Sequence, residues 1–272
     1  MIKTLILGAV QGLCEFLPVS SSGHLAIFQI FMGFDENMVA FDILLHFATL
    51  LAVILFFWRD IWQILADWFG GWLTPNNRRS GWAYGWAIII ASFITAIIGL
   101  GLKDTVEKAS ESLFLVGAGE IFTGIVLMMI PVFARTRKHS SLLMIALCVG
   151  FAQGIAVMPG VSRSGMSIAM GMFMGLGISE AFRFSFLISI PAIFGATLLE
   201  CVKFLKGGEA VFLPEGWIWG AVIAFVLGMA SLRFMKGLVN AGRWALFGVY
   251  CLIIGCIAVG LPLAASYGWI AL

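Results

Sequence analysis

Charge is what this chain has least of. Only 11% of its 272 residues are charged, 16 basic and 14 acidic, against roughly a quarter in soluble domains. With 61% hydrophobic residues and a mean hydropathy of +1.06, the sequence carries more apolar surface than a soluble fold of this length can hide. A net charge of +2 excludes the strongly basic face that nucleic acid demands, so no nucleic-acid partner is expected. The five cysteines, Cys14, Cys148, Cys201, Cys251 and Cys256, lack metal-type spacing and sit mostly in apolar runs. They read as small buried hydrophobes rather than disulfides or ligands. A cleavable signal is also missing: the first apolar stretch runs into Pro18-Val19-Ser20-Ser21-Ser22-Gly23-His24 without a small-residue cleavage pattern.

What is present is length of apolar run. A hydrocarbon core of ~30 Å takes about 20 apolar helical residues. Six stretches satisfy this, at 38–58, 84–102, 113–133, 182–204, 216–236 and 243–263. Ten Trp and 24 Phe suit such a chain, with Trp favoured near headgroups. Two further regions fail in the same way. Residues 4–17 and 25–34 are each too short to span and are separated by the serine loop; residues 141–158 and 166–177 are separated by Pro159-Gly160-Val161-Ser162-Arg163-Ser164-Gly165. Polar backbone at membrane depth is tolerated only where protein or a wet cavity covers it, so both regions read as re-entrant helical hairpins.

The two broken regions are copies. Shifting the first by 142 residues places Gly8, Gln11, Gly12, Val19, Ser20, Ser22 and Gly23 on Gly150, Gln153, Gly154, Val161, Ser162, Ser164 and Gly165. Three spans separate the copies, an odd number, so the second must enter from the opposite face. The expected fold is an all-α integral membrane protein of one domain, 1–272, with six transmembrane helices plus two re-entrant hairpins in an inverted-topology repeat. Repeat one covers about 1–133 and repeat two about 141–272. That arrangement brings both loops together near the midplane. Lys and Arg concentrate at Arg59, Arg78, Arg79, Arg135, Arg137, Lys138, Arg183, Arg233, Lys236 and Arg243, which marks that side as cytoplasmic. Both termini then face outward, as does the site.

Ionisable side chains at this depth are costly and default to function. Glu15 lies four residues after Gln11, on the same helical face. The first loop adds Ser20, Ser21, Ser22 and His24, and the second adds Ser162, Arg163, Ser164 and Ser167. Half-helix N-termini beside glycine loops attract anions, phosphate above all, and a guanidinium grips phosphate bidentately. Glu15 with Gln11 suits a hard divalent cation, Mg²⁺ or Ca²⁺, and a serine near a base is a phosphoryl acceptor. Serines in such loops also cap half-helices, a role that competes with phosphate contact at Ser20, Ser22, Ser162 and Ser164. His24 is read as a proton donor to the leaving group, with a loop-closing hydrogen bond as the other reading. His46 and Asp42 are read as structural or at a cavity mouth, and Glu120 and Glu200 as interhelical pairs or as lying near the membrane interface. Gly12, Gly23, Gly160 and Gly165 serve turns and close packing.

At these residues the chain resembles a known family. Gln11 to His24, Gln-Gly-Leu-Cys-Glu-Phe-Leu-Pro-Val-Ser-Ser-Ser-Gly-His, is similar to the (E/Q)-x-x-x-E-F-L-P-(V/I)-S-S-(S/T)-G-H signature of bacterial undecaprenyl-diphosphate phosphatases, the bacitracin-resistance family. Pro159 to Ser167 is similar to that family's second motif, P-G-x-S-R-S-x-x-(S/T), and Phe41 to His46 and Phe184 to Leu187 also fit. Gln11 stands where some members carry a second glutamate, and Ser167 where threonine is common. The resemblance implies a metal-dependent enzyme of the cell inner membrane. It would hydrolyse a C55 polyprenyl diphosphate to the monophosphate, recycling the carrier of cell-wall precursors. The implied site has Glu15, Ser21, His24 and Arg163 as catalytic groups. Ser20, Ser22, Ser162, Ser164, Gly165 and Ser167 would bind substrate, and Gln11 with Glu15 would hold the metal. The bilayer and the lipid are the expected partners, and a second copy of the chain is a candidate one. The competing reading is a lipid-phosphate flippase or anion transporter, which uses the same broken-helix architecture. The type-2 phosphatidic acid phosphatases share a Ser-Gly-His string but also need a histidine after the arginine motif, and none follows Arg163.

Overall fold

The computed structural model describes residues 1–34, 38–74, 79–133, 140–207, 213–240 and 242–266. Among these the chain forms twelve helices and no strand. Six are long and apolar enough to cross a membrane: Val39–Phe56, Ser80–Gly101, Leu113–Phe133, Ile178–Lys203, Trp217–Leu238 and Trp244–Ser266. They coincide with the six stretches expected from the sequence. Their outer faces carry large apolar side chains in the open, such as Phe93 at 64% exposure and Val132 at 66%. A water-facing surface would not sustain this, and a lipid-facing one requires it. The protein is a multi-pass membrane protein. The loop residues Arg78, Arg135, Arg137 and Lys138, on which part of the orientation argument rests, lie outside the described residues, as do 35–37 and the C-terminal 267–272.

The four half-helices are α1 (Ile2–Cys14), α2 (Ser21–Phe31), α8 (Leu142–Ile155) and α9 (Arg163–Phe173). At 1.5 Å per residue the longest is about 21 Å, short of the ~30 Å core. Each pair folds back on itself. Lys3 Nζ donates to the Met32 carbonyl at 2.5 Å, and the Ser140 amide donates to the Met174 carbonyl at 3.1 Å. Met32 and Met174 are equivalent under the 142-residue shift, so the second half-helix of each pair ends at the same repeat position and is tied back to the start of the first.

The copies pack crosswise. The spans, in order, are α3 (Val39–Phe56), α5 (Ser80–Gly101), α7 (Leu113–Phe133), α10 (Ile178–Gly207), α11 (Trp217–Asn240) and α12 (Trp244–Ser266). Helix α1 runs along α11 and α8 runs along α5, while α7 pairs with α12 and α3 with α10. This pairing gives the repeated glycines their reason. A Cβ on Gly8 would lie 2.2 Å from the Gly220 carbonyl oxygen, and one on Gly150 2.6 Å from that of Ala91. Backbones touch there, as small-residue contacts allow in membrane helices.

Two helices were not expected. Helix α4 (Trp58–Leu73) and helix α6 (Lys103–Ser110) fall in stretches read as joints. Arg59, Asp60, Gln63 and Asp67 break the apolar run of α4, so it fails a spanning test. Yet Ile61, Ile64 and Trp68 recur at helical spacing and pack inward. Its opposite stripe, Trp58, Trp62, Leu65, Phe69 and Trp72, is exposed, the pattern of a helix lying in an interface.

Candidate active site

Both loops are built alike. Ser20 caps α2 by accepting from the Gly23 amide at 3.3 Å, and Ser162 caps α9 by accepting from the Gly165 amide at 3.1 Å. Each cap also meets the second serine after it, Ser20 with Ser22 and Ser162 with Ser164, both at 3.3 Å. Ser20 does this at φ +59°, a backbone region that non-glycine residues rarely occupy and that the fold must enforce. The tips then touch. The Ser164 hydroxyl donates to the Leu17 carbonyl at 3.0 Å, and the Ser162 amide donates to Thr123 Oγ1 at 2.9 Å.

At the junction Arg163 Nη2 pairs with Glu15 Oε1. The other carboxylate oxygen, Oε2, accepts from the Ser21 hydroxyl at 2.6 Å and the Gln11 amide at 2.9 Å, with His46 Nε2 3.7 Å away. Glu15 is buried, and its partners come from four helices. Arg163 Nη1 is buried too, and among the described residues it has no hydrogen-bond partner. One face of the guanidinium therefore holds the carboxylate and the other is left to take an anion.

This junction forms the floor of a cavity of about 680 Å³. Ser20, Ser21, Ser22, Ser162, Arg163 and Ser164 line it, together with Glu15 and His46. Higher up, the walls are largely apolar, from Ile43, Ala96, Leu100, Ala192, Ile193 and Leu199. The volume falls within the range of small-molecule sites.

Three expected site residues take other places. His24 is not among the cavity-lining residues. Its Nδ1 donates to the Ser20 carbonyl at 2.8 Å and its Nε2 meets the Tyr250 hydroxyl at 2.7 Å. Glu120 Oε1 lies 3.5 Å from Nδ1. Both of its ring nitrogens are engaged and hold the loop, and among the described residues the histidine that lines the cavity is His46. Ser167 is likewise withdrawn, donating to the Arg163 carbonyl at 2.7 Å and meeting Ser185 Oγ at 2.5 Å. Gly165 serves the cap and packs near Pro18. Glu120 pairs with His24 across helices, as expected, whereas Glu200 pairs with Lys203 of its own helix rather than across helices. Sequence spacing missed the inward face of His46. Its four-residue distance from Asp42 was the available signal: His46 Nδ1 donates to the Asp42 carbonyl at 2.7 Å, which leaves Nε2 for Glu15.

A divalent cation suits part of this set. Gln11 turns its amide nitrogen to Glu15 and its Oε1 is buried with no hydrogen-bond partner among the described residues, so the amide would have to flip for both side chains to offer oxygens to one Mg²⁺. Among the described residues no group of three or more His, Cys, Asp or Glu is placed to hold a metal ion. A cation held here would take its remaining ligands from a bound phosphate and from water.

Fold and site together define a polytopic membrane protein with a buried Arg163–Glu15 pair where two broken helices meet tip to tip. Residues 4–257 match the family described as Bacitracin resistance protein BacA, and the chain belongs to that family. It is 39% identical to the undecaprenyl-diphosphatase of Desulfosudis oleivorans, over 95% of this chain and 97% of that one. It is 40% identical to the undecaprenyl-diphosphatase of Treponema denticola, over 93% and 94%. The undecaprenyl-diphosphatase of the archaeon Korarchaeum cryptofilum is 36% identical over 95% and 98%.

Proposed function

We propose that this protein hydrolyses undecaprenyl diphosphate to the monophosphate. The observation that carries the reading is the Ser21–Glu15–Arg163 junction, where a hydroxyl donates to a buried carboxylate beside a guanidinium with a free edge. A carrier needs an anion site but no nucleophile poised on a base, which favours hydrolysis over the transporter reading. The terminal phosphate sits against Arg163 Nη1 and the amides at the start of α2 and α9. Glu15 takes the Ser21 proton as that oxygen attacks the terminal phosphorus in line and expels the lipid monophosphate, after which water hydrolyses the phosphoserine to inorganic phosphate; alternatively Ser21 orients a water that attacks directly and gives its proton to Glu15. The charge spread over the phosphoryl oxygens meets fixed donors, which is the larger part of catalysis in phosphoryl transfer. The lipid monophosphate leaves as a weakly basic group, so a strong general acid is not required. A divalent cation held by Glu15 and Gln11 would offset the diphosphate charge. The cavity accepts the headgroup and the first isoprene units, and the rest of the tail lies in lipid.

The hairpin closures at Lys3–Met32 and Ser140–Met174 support re-entry from opposite faces. With the arginine-rich side cytoplasmic, the cavity opens outward, toward the periplasmic side of an inner membrane. The test is phosphate release from undecaprenyl diphosphate by the purified chain in detergent, with and without chelator. No release in either condition would end the hydrolase reading.

A further inference from the structure

One buried acid has no part in the reaction above. Glu120, on α7, is fully buried, and among the described residues neither of its carboxyl oxygens has a hydrogen-bond partner. A carboxyl group in that state is costly, so filling space does not account for it. Its Oε1 lies 3.5 Å from Nδ1 of His24. The approach depends on Gly23, because a Cβ there would fall 2.8 Å from the same oxygen.

The two repeats together show what His24 does for its loop. Both cap residues accept the amide four residues on, Ser20 from His24 at 3.2 Å and Ser162 from Met166 at 2.9 Å. Of the two, Ser20 alone has a positive φ, +59° against −76° at Ser162. Ser20 alone also has its carbonyl held by a ring, from His24 Nδ1 at 2.8 Å, since the 142-residue counterpart of His24 is Met166. Ser20 leads straight into Ser21, whose hydroxyl reaches Glu15 at 2.6 Å. A neutral imidazole has two tautomers, and the partners of its nitrogens choose between them. The Tyr250 hydroxyl, 2.7 Å from Nε2, is able to donate or accept and so chooses neither. A carboxyl oxygen beside Nδ1 favours the proton there. With the proton on Nε2 instead, a bare Nδ1 would face the Ser20 carbonyl, lone pair against lone pair, and nothing on the ring would hold the strained loop.

We propose that Glu120 is a positioning residue for the reaction: it keeps the His24 proton on Nδ1, so that the ring holds the Ser20 carbonyl and the loop aims Ser21 at Glu15. The role rests on the assignment of Ser21 above. Glu120→Met keeps the length of the side chain and loses its oxygens. In that variant kcat for undecaprenyl diphosphate falls about tenfold, while KM stays within about twofold because Arg163 holds the phosphate from the other loop. Glu120→Gln, which keeps an oxygen available to Nδ1, stays within about threefold of the native kcat. Native kcat in Glu120→Met overturns the proposal.

Nitrogen-15 NMR of histidine-labelled protein in lipid reads the tautomer directly, with His24→Gln identifying the signals of His24 among those of the three histidines. The native chain carries a proton on His24 Nδ1, and Glu120→Met loses it in part to Nε2. A bare Nδ1 in the native chain overturns the proposal. So does a tenfold fall in kcat with the His24 signals unmoved, which marks a merely structural role. Should Glu120→Met not fold, Tyr250→Phe decides: with no partner at Nε2 the proton stays on Nδ1 and kcat remains within about threefold of native, and a tenfold fall there overturns the proposal. The NMR measurement needs no lipid substrate. A native chain that releases no phosphate therefore ends the hydrolase reading, while the His24 signals still decide whether Glu120 sets the tautomer.

Discussion

Replacing Arg163 with methionine separates its two roles. In the native protein its guanidinium pairs with Glu15, whose side chain is 3% exposed against 17% for the arginine. Removing one partner of a buried pair and leaving the other typically costs about 3–5 kcal/mol. Glu15 keeps the Ser21 and Gln11 donors, so the lower end, about 3 kcal/mol, is expected. At roughly 2–4 °C per kcal/mol for a chain near this size, the thermal midpoint in detergent should fall by about 6–12 °C. Adding Glu15→Gln removes the stranded charge. The double variant should regain about 2 kcal/mol over the sum of the two single changes, a coupling well above the additivity error. Phosphate release falls by about a thousandfold in all three, because the two Arg163 variants lose the clamp on the terminal phosphate and Glu15→Gln loses the base. Arg163→Lys restores charge and most of the stability but little activity, since one ammonium cannot serve Glu15 and phosphate as a planar fork does. Thermal unfolding of the native protein and the four variants, with phosphate release at saturating lipid, is the assay. A single Arg163→Met protein as stable as the native one, with no coupling to Glu15, would refute the argument that this pair is buried and joins the two loops.

Other outcomes follow from the same geometry. Ser21→Ala should leave the fold intact and lower turnover about a thousandfold; native turnover in that variant would remove Ser21 from the reaction. His24→Ala should cost about 2 kcal/mol by leaving the Ser20 carbonyl and Tyr250 without their shared partner, and Tyr250→Phe a part of that, both read by thermal unfolding. His46→Gln should keep stability and lower kcat, so a stability loss there with full turnover would reverse the assignment of the two histidines. Gly150→Leu should abolish a folded product, because the side chain would enter the Ala91 backbone; Gly70→Leu, which meets nothing within 4 Å, should be tolerated, and yield after size-exclusion chromatography compares them. Single cysteines at 2 and 33 in a cysteine-free chain should react alike with an impermeant thiol reagent on intact cells, and labelling of one alone would mean that the first hairpin crosses the membrane.

The architecture was legible in the sequence because the bilayer imposes a length on every span and a penalty on every charge inside it. Six runs passed the length rule and became α3, α5, α7, α10, α11 and α12, whereas α4 escaped notice because four polar residues interrupt its apolar content. The repeat was legible for a similar reason: Gly8 and Gly150 both lie where two backbones touch, and no other side chain fits. Motif chemistry likewise brought Glu15, Ser21 and Arg163 forward together. What the one-dimensional pattern could not carry was facing. Ser164 lines the cavity and Ser167, one turn on, is turned away to Ser185; His24 faces Glu120 and Tyr250 while His46, on another helix, faces Glu15. Nor could composition show that Glu15 and Arg163, 148 residues apart, spend their charges on each other. Spans and loops follow from the free energy of moving single residues between water and lipid, a property each residue carries with it. Side-chain partners follow from which helix packs against which, and that depends on residues far apart in the chain meeting at one place.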